Sequence, residues 1–288
     1  MALLPSSKAP IGTAGPLPIE RMALNLVTVG LSTPLEPTLD ACVRLGIKAV
    51  ALWTQNYRGM GSRVASQMVR DRGLAVTGIC RMSGFGEATD DSSWRDAIDD
   101  AHQLIDDAAE FRAGSITVIG GGMPKNCGTI LDTRERILKG VKIVASHARE
   151  VGVTLALEPL HPMVAAERGA ISTLEYASSL ARECGSGVGV MVDSYNVWWD
   201  PALHASIASA NGLIAGYQVS DWLVPTTDLA FDRGMMGDGV IDLRGIRSRV
   251  EAAGYKGYVE VEILSHKISA LAIDDLISLV KERFTEFA

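Results

Sequence analysis

Eight times along this chain a short run of β-branched and apolar residues gives way to a longer stretch patterned as an amphipathic helix. The runs fall at 22–29, 49–54, 74–80, 115–120, 154–160, 187–193, 214–221 and 258–264. Helical patterns lie between them, among others at 37–45, 94–111, 133–151, 172–184 and 243–253. Ser172 and Glu175 have the spacing of a capping box, in which both side chains satisfy opening backbone N–H groups. Gly46, Gly73, Gly114, Gly152 and Gly254 stand where a left-handed residue closes a helix before the next run. Repeated strand–helix alternation implies a parallel sheet, and eight units favour closure into a single-domain (β/α)₈ TIM barrel. An open doubly wound sheet is the alternative. It usually shows a glycine-rich phosphate turn after its first strand, and Val29, Gly30, Leu31, Ser32, Thr33 and Pro34 do not form one. The triple glycine Gly120, Gly121 and Gly122 reads as a loop of close backbone approach. The expected division is a Pro-, Gly- and Ser-bearing N-terminal arm over 1–21 and the barrel over 22–288.

Composition narrows the function. A formal charge of −7 with scattered basic residues argues against a nucleic-acid partner, which calls for a basic stripe. Cys42, Cys80, Cys127 and Cys184 stand far apart, without a C-x-x-C, so neither a zinc knuckle nor a secreted disulfide framework is indicated. No apolar run reaches the ~18 residues of a membrane span, and the N-terminus lacks the apolar core of a signal peptide. The cytoplasm is the expected compartment.

Side chains that leave the C-terminal ends of barrel strands converge on one mouth. Glu158, Asp193 and Glu262 occupy such ends within apolar runs, where a carboxylate is costly to bury unless it is paired or coordinates a cation. Gln218, in the seventh run, adds a fourth oxygen donor, and the set suits a hard cation such as Mn²⁺ or Mg²⁺. Pairing with arginines is the plainer alternative for any one acid, and weaker for three at the same level. Glu260 shares the face of Glu262 and is expected one layer deeper or in an ion pair. His161, leaving the same run as Glu158, is placed either as a base beside the cation or as a loop histidine bonded to backbone. Trp53, Trp198, Trp199 and Trp222 also fall near run ends. Trp53 and Trp222 are the candidates for stacking on substrate, with helix packing or a subunit interface as the alternative. Ser194 has no G-x-S-x-G around it, which argues against serine nucleophile chemistry.

At these residues the chain resembles the xylose isomerase-like superfamily of sugar isomerases and epimerases. Leu157-Glu158-Pro159 is similar to its fifth-strand metal ligand, Val192-Asp193 to the sixth, and the segment from Gly254 to Glu262 to the eighth. Gln218 falls where many members place a ligand histidine and hydroxypyruvate isomerases a glutamine, a departure that favours Mn²⁺ or Mg²⁺ over zinc. The Arg233-to-Gly239 segment resembles an arginine-bearing loop that faces substrate. Asn196 stands where epimerases usually carry a substrate-binding histidine. The Glu-Pro-Leu-His-Pro, Val-Trp-Trp-Asp-Pro and Asp-Trp-Leu-Val-Pro-Thr segments also resemble the catalytic subunit of bacterial C-glycoside deglycosidases.

The resemblance implies removal of a proton alpha to a carbonyl of a keto sugar, through an enediolate that a divalent cation stabilises. Glu158 and Glu262 would exchange the proton, and Arg233 and Asn196 would touch substrate. Deglycosidase resemblance implies instead a lyase on a 3-oxo-glycoside, with His161 or a cation-activated hydroxide as base. A non-catalytic metal- or sugar-binding barrel is a further alternative. A homo-oligomer, or a hetero-oligomer with a small second subunit, is the expected assembly. A nuclease with a trinuclear, histidine-rich site is excluded. Of His102, His147, His161, His204 and His266, only His161 sits at a run end.

Overall fold

Each apolar run forms a strand in the computed structural model, which describes residues 15–125 and 128–288. The barrel strands are β1 (Met22–Asn25), β2 (Ala49–Trp53), β3 (Ala75–Met82), β4 (Ser115–Val118), β5 (Thr154–Leu157), β6 (Val188–Asp193), β7 (Ile214–Val219) and β10 (Val259–Val261). They close in the order β1-β10-β7-β6-β5-β4-β3-β2, all pairs parallel. Strands covered on both faces must be apolar nearly throughout, and every residue of β2 and β6 is buried. The protein is a (β/α)₈ TIM barrel.

Helices Leu35–Arg44, Ser62–Asp71, Asp91–Phe111, Ile130–Glu150, Leu174–Cys184, Leu203–Ser209, Leu243–Ala252 and Ile273–Phe287 follow the strands in turn. Leu174–Cys184 shows why they pack: Leu174, Ala177, Ser178, Leu180 and Ala181 fall on one buried stripe. Burying each leucine contributes about 1.5–3 kcal/mol. Its N-cap is Thr173, whose Oγ1 accepts from the Tyr176 N–H at 3.2 Å, rather than the expected Ser172. One position later in the box, the threonine reaches the N–H three residues on and makes Ser172 redundant.

Gly46, Gly73, Gly152 and Gly254 have positive φ. Gly114 does not. The left-handed residue after Asp91–Phe111 is Arg112, at φ 53°, and Gly114 answers a different need: a Cβ there would lie 3.1 Å from the Thr77 carbonyl oxygen. Close approach also explains the triple glycine, since a Cβ on Gly122 would meet the Glu167 backbone at 2.4–2.5 Å.

Several strands stop short of the expected ends, on the side where the site lies. After Asn25 the chain turns into a 3-10 segment, Leu26–Val29. After Val219 it leaves the barrel, and β8 (Asp221–Trp222) pairs antiparallel with β9 (Arg233–Gly234). Glu158 and Glu262 stand one residue beyond β5 and β10, yet their N–H groups still donate to Val118 and Val219 carbonyls at 2.9 and 3.1 Å. The ladder therefore fixes their backbones while freeing their side chains to turn inward. Cys42, Cys80 and Cys184 are free thiols. Residues 1–14 of the expected arm, and Cys127, lie outside the described residues.

Candidate active site

Three carboxylates meet at the C-terminal mouth. Oxygens of Glu158, Asp193 and Glu262 all lie within 4.8 Å of one another, and the three residues are buried. This is the convergence expected from the sequence. Arg233, carried in by β9, partly compensates them. Its Nη1 donates to Asp193 Oδ2 at 2.9 Å and to Glu262 Oε2 at 3.2 Å, and its guanidinium lies 4.4 Å from the Tyr195 ring centroid. Asn196 braces the other side. Its Nδ2 donates to both Glu158 Oε1 and Asp193 Oδ2 at 2.8 Å.

Gln218 sits on β7, where its Nε2 donates to Glu260 Oε1 at 2.8 Å, while its buried Oε1 has no hydrogen-bond partner. A buried amide oxygen without a donor costs about 1–3 kcal/mol unless something else binds it. Glu260 lies in the deeper layer and is not ion-paired among the described residues. It also accepts from Asn25 Nδ2 at 2.8 Å and Thr77 Oγ1 at 2.9 Å.

Burial sets the electrostatics. It raises Glu158 well above the ordinary carboxylate range, and the charges of Asp193 and Glu262 push the same way. Asp193 is raised by burial against the pull of Arg233. Burial pushes Glu262 up to about 8, again opposed by Arg233. Burial alone would lower Arg233, but Asp193, Glu262 and Glu158 outweigh it and hold the guanidinium firmly charged. Fully deprotonated, as a bound cation would require, the three carboxylates exceed the one guanidinium by two negative charges. That imbalance, the oxygen-only donor set and the unpartnered Gln218 Oε1 fit a hard divalent cation held by Glu158, Asp193, Gln218 and Glu262.

A cleft opens above the acids, lined among others by Trp53, Arg81, Glu158, Arg168, Asn196, Arg233 and Glu262. Of the residues expected to touch substrate, Trp53, Asn196 and Arg233 line it. Trp222 and His161 do not. The His161 ring instead stacks on Trp222 at 4.8 Å between centroids and meets Trp199 edge-on at 5.8 Å. Its Nδ1 accepts from the Met163 N–H at 3.3 Å, the backbone-bonding alternative for this residue, and burial lowers its pKa. Trp222 is enclosed by His161, Tyr195 and Trp198, which is the packing alternative for a tryptophan near the mouth.

Two residues that matter here were not singled out from the sequence. Asn25, at the end of β1, donates to Glu260 and to Glu262 Oε1 (2.9 Å) and accepts from Trp53 Nε1 (2.9 Å). Its signal was of the kind that revealed Gln218, a polar residue near the end of an apolar strand. Asp221 is buried and accepts backbone N–H groups from Trp222, Gly237, Gly239 and Ile241 at 2.9–3.0 Å. It thereby anchors the loop that delivers Arg233. A Cβ on Gly239 would fall 2.5 Å from Asp221 Oδ1, so only glycine fits that turn.

A crystal structure of protein SMc04130 from Sinorhizobium meliloti 1021 superposes with a TM-score of 0.90 at 42% identity, covering 94% of this chain and 99% of that one. IolI protein with a bound zinc atom superposes with a TM-score of 0.79 at 16% identity, covering 92% and 97%, a likeness of fold. Among curated proteins, 3-dehydroshikimate dehydratase of Pseudomonas putida is 23% identical over 278 residues. The match covers 90% of this chain but 41% of that protein's length. A family profile described as xylose isomerase-like TIM barrel matches residues 39–283, and with the closed parallel barrel this shows that the chain belongs to the xylose isomerase-like TIM barrel family.

Proposed function

We propose that this protein is a divalent-cation-dependent enzyme that removes a proton from the carbon next to the carbonyl of a small keto sugar or related keto compound. The observation that carries the reading is a division within the donor set. Glu158 and Glu262 line the cleft, whereas Asp193 and Gln218 do not. Glu158, Asp193, Gln218 and Glu262 would hold Mn²⁺ or Mg²⁺, which supplies Lewis-acid polarisation of a carbonyl. IolI protein, which shares the fold, binds a zinc atom, and that supports a metal role for this barrel.

Glu158 and Glu262 follow β5 and β10, which are separated around the ring by β6 and β7. Carboxylates so placed can approach a bound substrate from two sides, one taking the alpha proton and the other returning one. Burial raises the proton affinity of both in the cation-free protein, and a bound cation would offset it, leaving carboxylates that can take up the alpha proton. Asn196 holds Glu158 in place, and Arg233 steadies Glu262 and Asp193. Trp53, fixed through Asn25, offers an apolar face to a sugar ring. The base role falls to the glutamates rather than His161, whose ring lies outside the cleft.

Return of the proton gives an isomerase or epimerase. If the same carbanion instead expels a group from the next carbon, the enzyme is a lyase, of the kind that cleaves 3-oxo-glycosides. The dehydratase relative favours keeping that second outcome. Incubation with Mn²⁺ and a panel of keto sugars and 3-oxo-glycosides in heavy water tests both. Deuterium should enter the alpha carbon and vanish with Glu158→Gln; release of aglycone identifies the lyase. Bound cation with no exchange on any compound would leave a binding barrel instead.

A further inference from the structure

The cleft has a second charged side. Arg81, near the C-terminal end of β3, and Arg168, in the loop after β5, both line it. Among the described residues neither guanidinium has an acid within ion-pair distance. Asp228, whose charge reaches Arg168, is tied to the N–H groups of Ala230 and Phe231 at 2.7 and 3.0 Å. Arg81 lies 5.7 Å from the Trp53 ring centroid, which steadies it without neutralising it.

Their place in the ring gives them a direction. Arg81 and Arg168 flank β4, whose Thr117 lines the cleft between them, as does Ile119 just beyond it. In the closed order β4 stands opposite β10, the strand that leads to Glu262. The arginines therefore lie across the ring from Glu262. A bound divalent cation would, together with Arg233, balance Glu158, Asp193 and Glu262, leaving no net charge in that cluster for Arg81 and Arg168. Burial, then the charges of Arg81 and Arg233, lower the proton affinity of Arg168, outweighing the opposite pull of Asp228 and Glu158. Two unpaired guanidinium groups on one wall are recognition chemistry for a carboxylate or phosphate.

We infer that the substrate is anionic: a small keto compound whose carbonyl end meets the Glu158–Glu262 side while a carboxylate or phosphate at its other end is held by Arg81 and Arg168. This rests on the proton-transfer reading for the first end only. Anion binding at the arginines stands on the cleft itself.

The test uses the full chain with Mn²⁺ and three probes: D-fructose, D-fructose 6-phosphate and 5-keto-D-gluconate. Binding is followed by calorimetry and alpha-proton exchange by NMR in heavy water. At least one anionic probe should bind tenfold or more tighter than D-fructose. Arg81→Gln and Arg168→Gln should each weaken that probe by roughly tenfold or more, with thermal stability and Mn²⁺ affinity retained. The probe that responds, sugar phosphate or sugar acid, identifies the anion. Equal affinity for all three probes, no binding of either anion, or equal losses for neutral and anionic probes in the variants overturns the inference. Exchange without charge discrimination removes the anion subsite and keeps the proton-transfer reading. Arginine-dependent binding without exchange on any probe does the reverse.

Discussion

Gln218, in register with Asp193 on the neighbouring strand, donates its amide N–H to Glu260 at 2.8 Å and keeps its own buried Oε1 unpartnered. Glu260 thus decides which end of the amide is free. A Gln at position 260 can donate where the carboxylate only accepts, so it permits the opposite orientation. Glu260→Gln is expected to weaken Mn²⁺ binding about 10–100-fold, the usual cost of losing a group that orients a ligand. Calorimetric titration of the metal-free protein checks it, and unchanged affinity would show that Glu260 is a fold residue only.

Among the described residues, Arg233 is the one cation bonded to the acid cluster, through Asp193 and Glu262. Removing one partner of a buried charge group typically costs about 3–5 kcal/mol. Arg233→Met should therefore lower the stability of the metal-free protein by that amount in urea unfolding. Saturating Mn²⁺ should recover much of it, because the cation supplies the missing positive charge.

These strand ends were legible in the sequence because a carboxylate inside an apolar run has few alternatives to a shared site. Glu158, Asp193 and Glu262 announced themselves one at a time, and the eight-fold alternation brought them together. Arg81 and Arg168 did not, since an arginine at a strand end or in a loop ordinarily reaches solvent; only the closed ring shows that both line one wall. His161 illustrates the opposite limit. Its position after β5 was readable, but the stacking on Trp222 depends on chain that is some sixty residues away in sequence. Thr173 in place of Ser172, and Arg112 in place of Gly114, show that a cap is settled by one residue's register. Periodicity does not resolve that.

Protonation couples the cluster to pH. Glu158, Asp193 and Glu262 hold protons more tightly in the folded chain than their ordinary values of 4.5, 3.8 and 4.5, with Glu262 at about 8. A folded-state value above the unfolded one adds stability that is full below about 4 and is lost as pH rises through the folded value. In the metal-free protein this contribution should therefore decline between pH 5 and 8. The cation needs deprotonated ligands, so its affinity should rise over the same window with release of protons. Thermal unfolding in chelator and in Mn²⁺ reads both trends. A chelator-to-Mn²⁺ difference in melting temperature that stays flat with pH contradicts the assignment.

Asp221 gathers four backbone N–H groups around one carboxylate. Asp221→Ala leaves buried donors without an acceptor, at about 1–3 kcal/mol for each that finds no water. The expected signature is local: amide exchange at Gly237, Gly239 and Ile241 should quicken markedly while β4 and β5 stay protected. Loss of Mn²⁺ affinity should be small beside that of Glu260→Gln, since Asp221 reaches the cluster only through Arg233.

One titration bears most directly on the whole account. Metal-free protein should take up Mn²⁺ with a stoichiometry of about one per chain, and Asp193→Asn, which leaves the cleft lining intact, should abolish uptake or weaken it at least a hundredfold. Binding that survives Asp193→Asn unchanged would place the cation elsewhere, and the proton chemistry assigned to Glu158 and Glu262 would lose its centre.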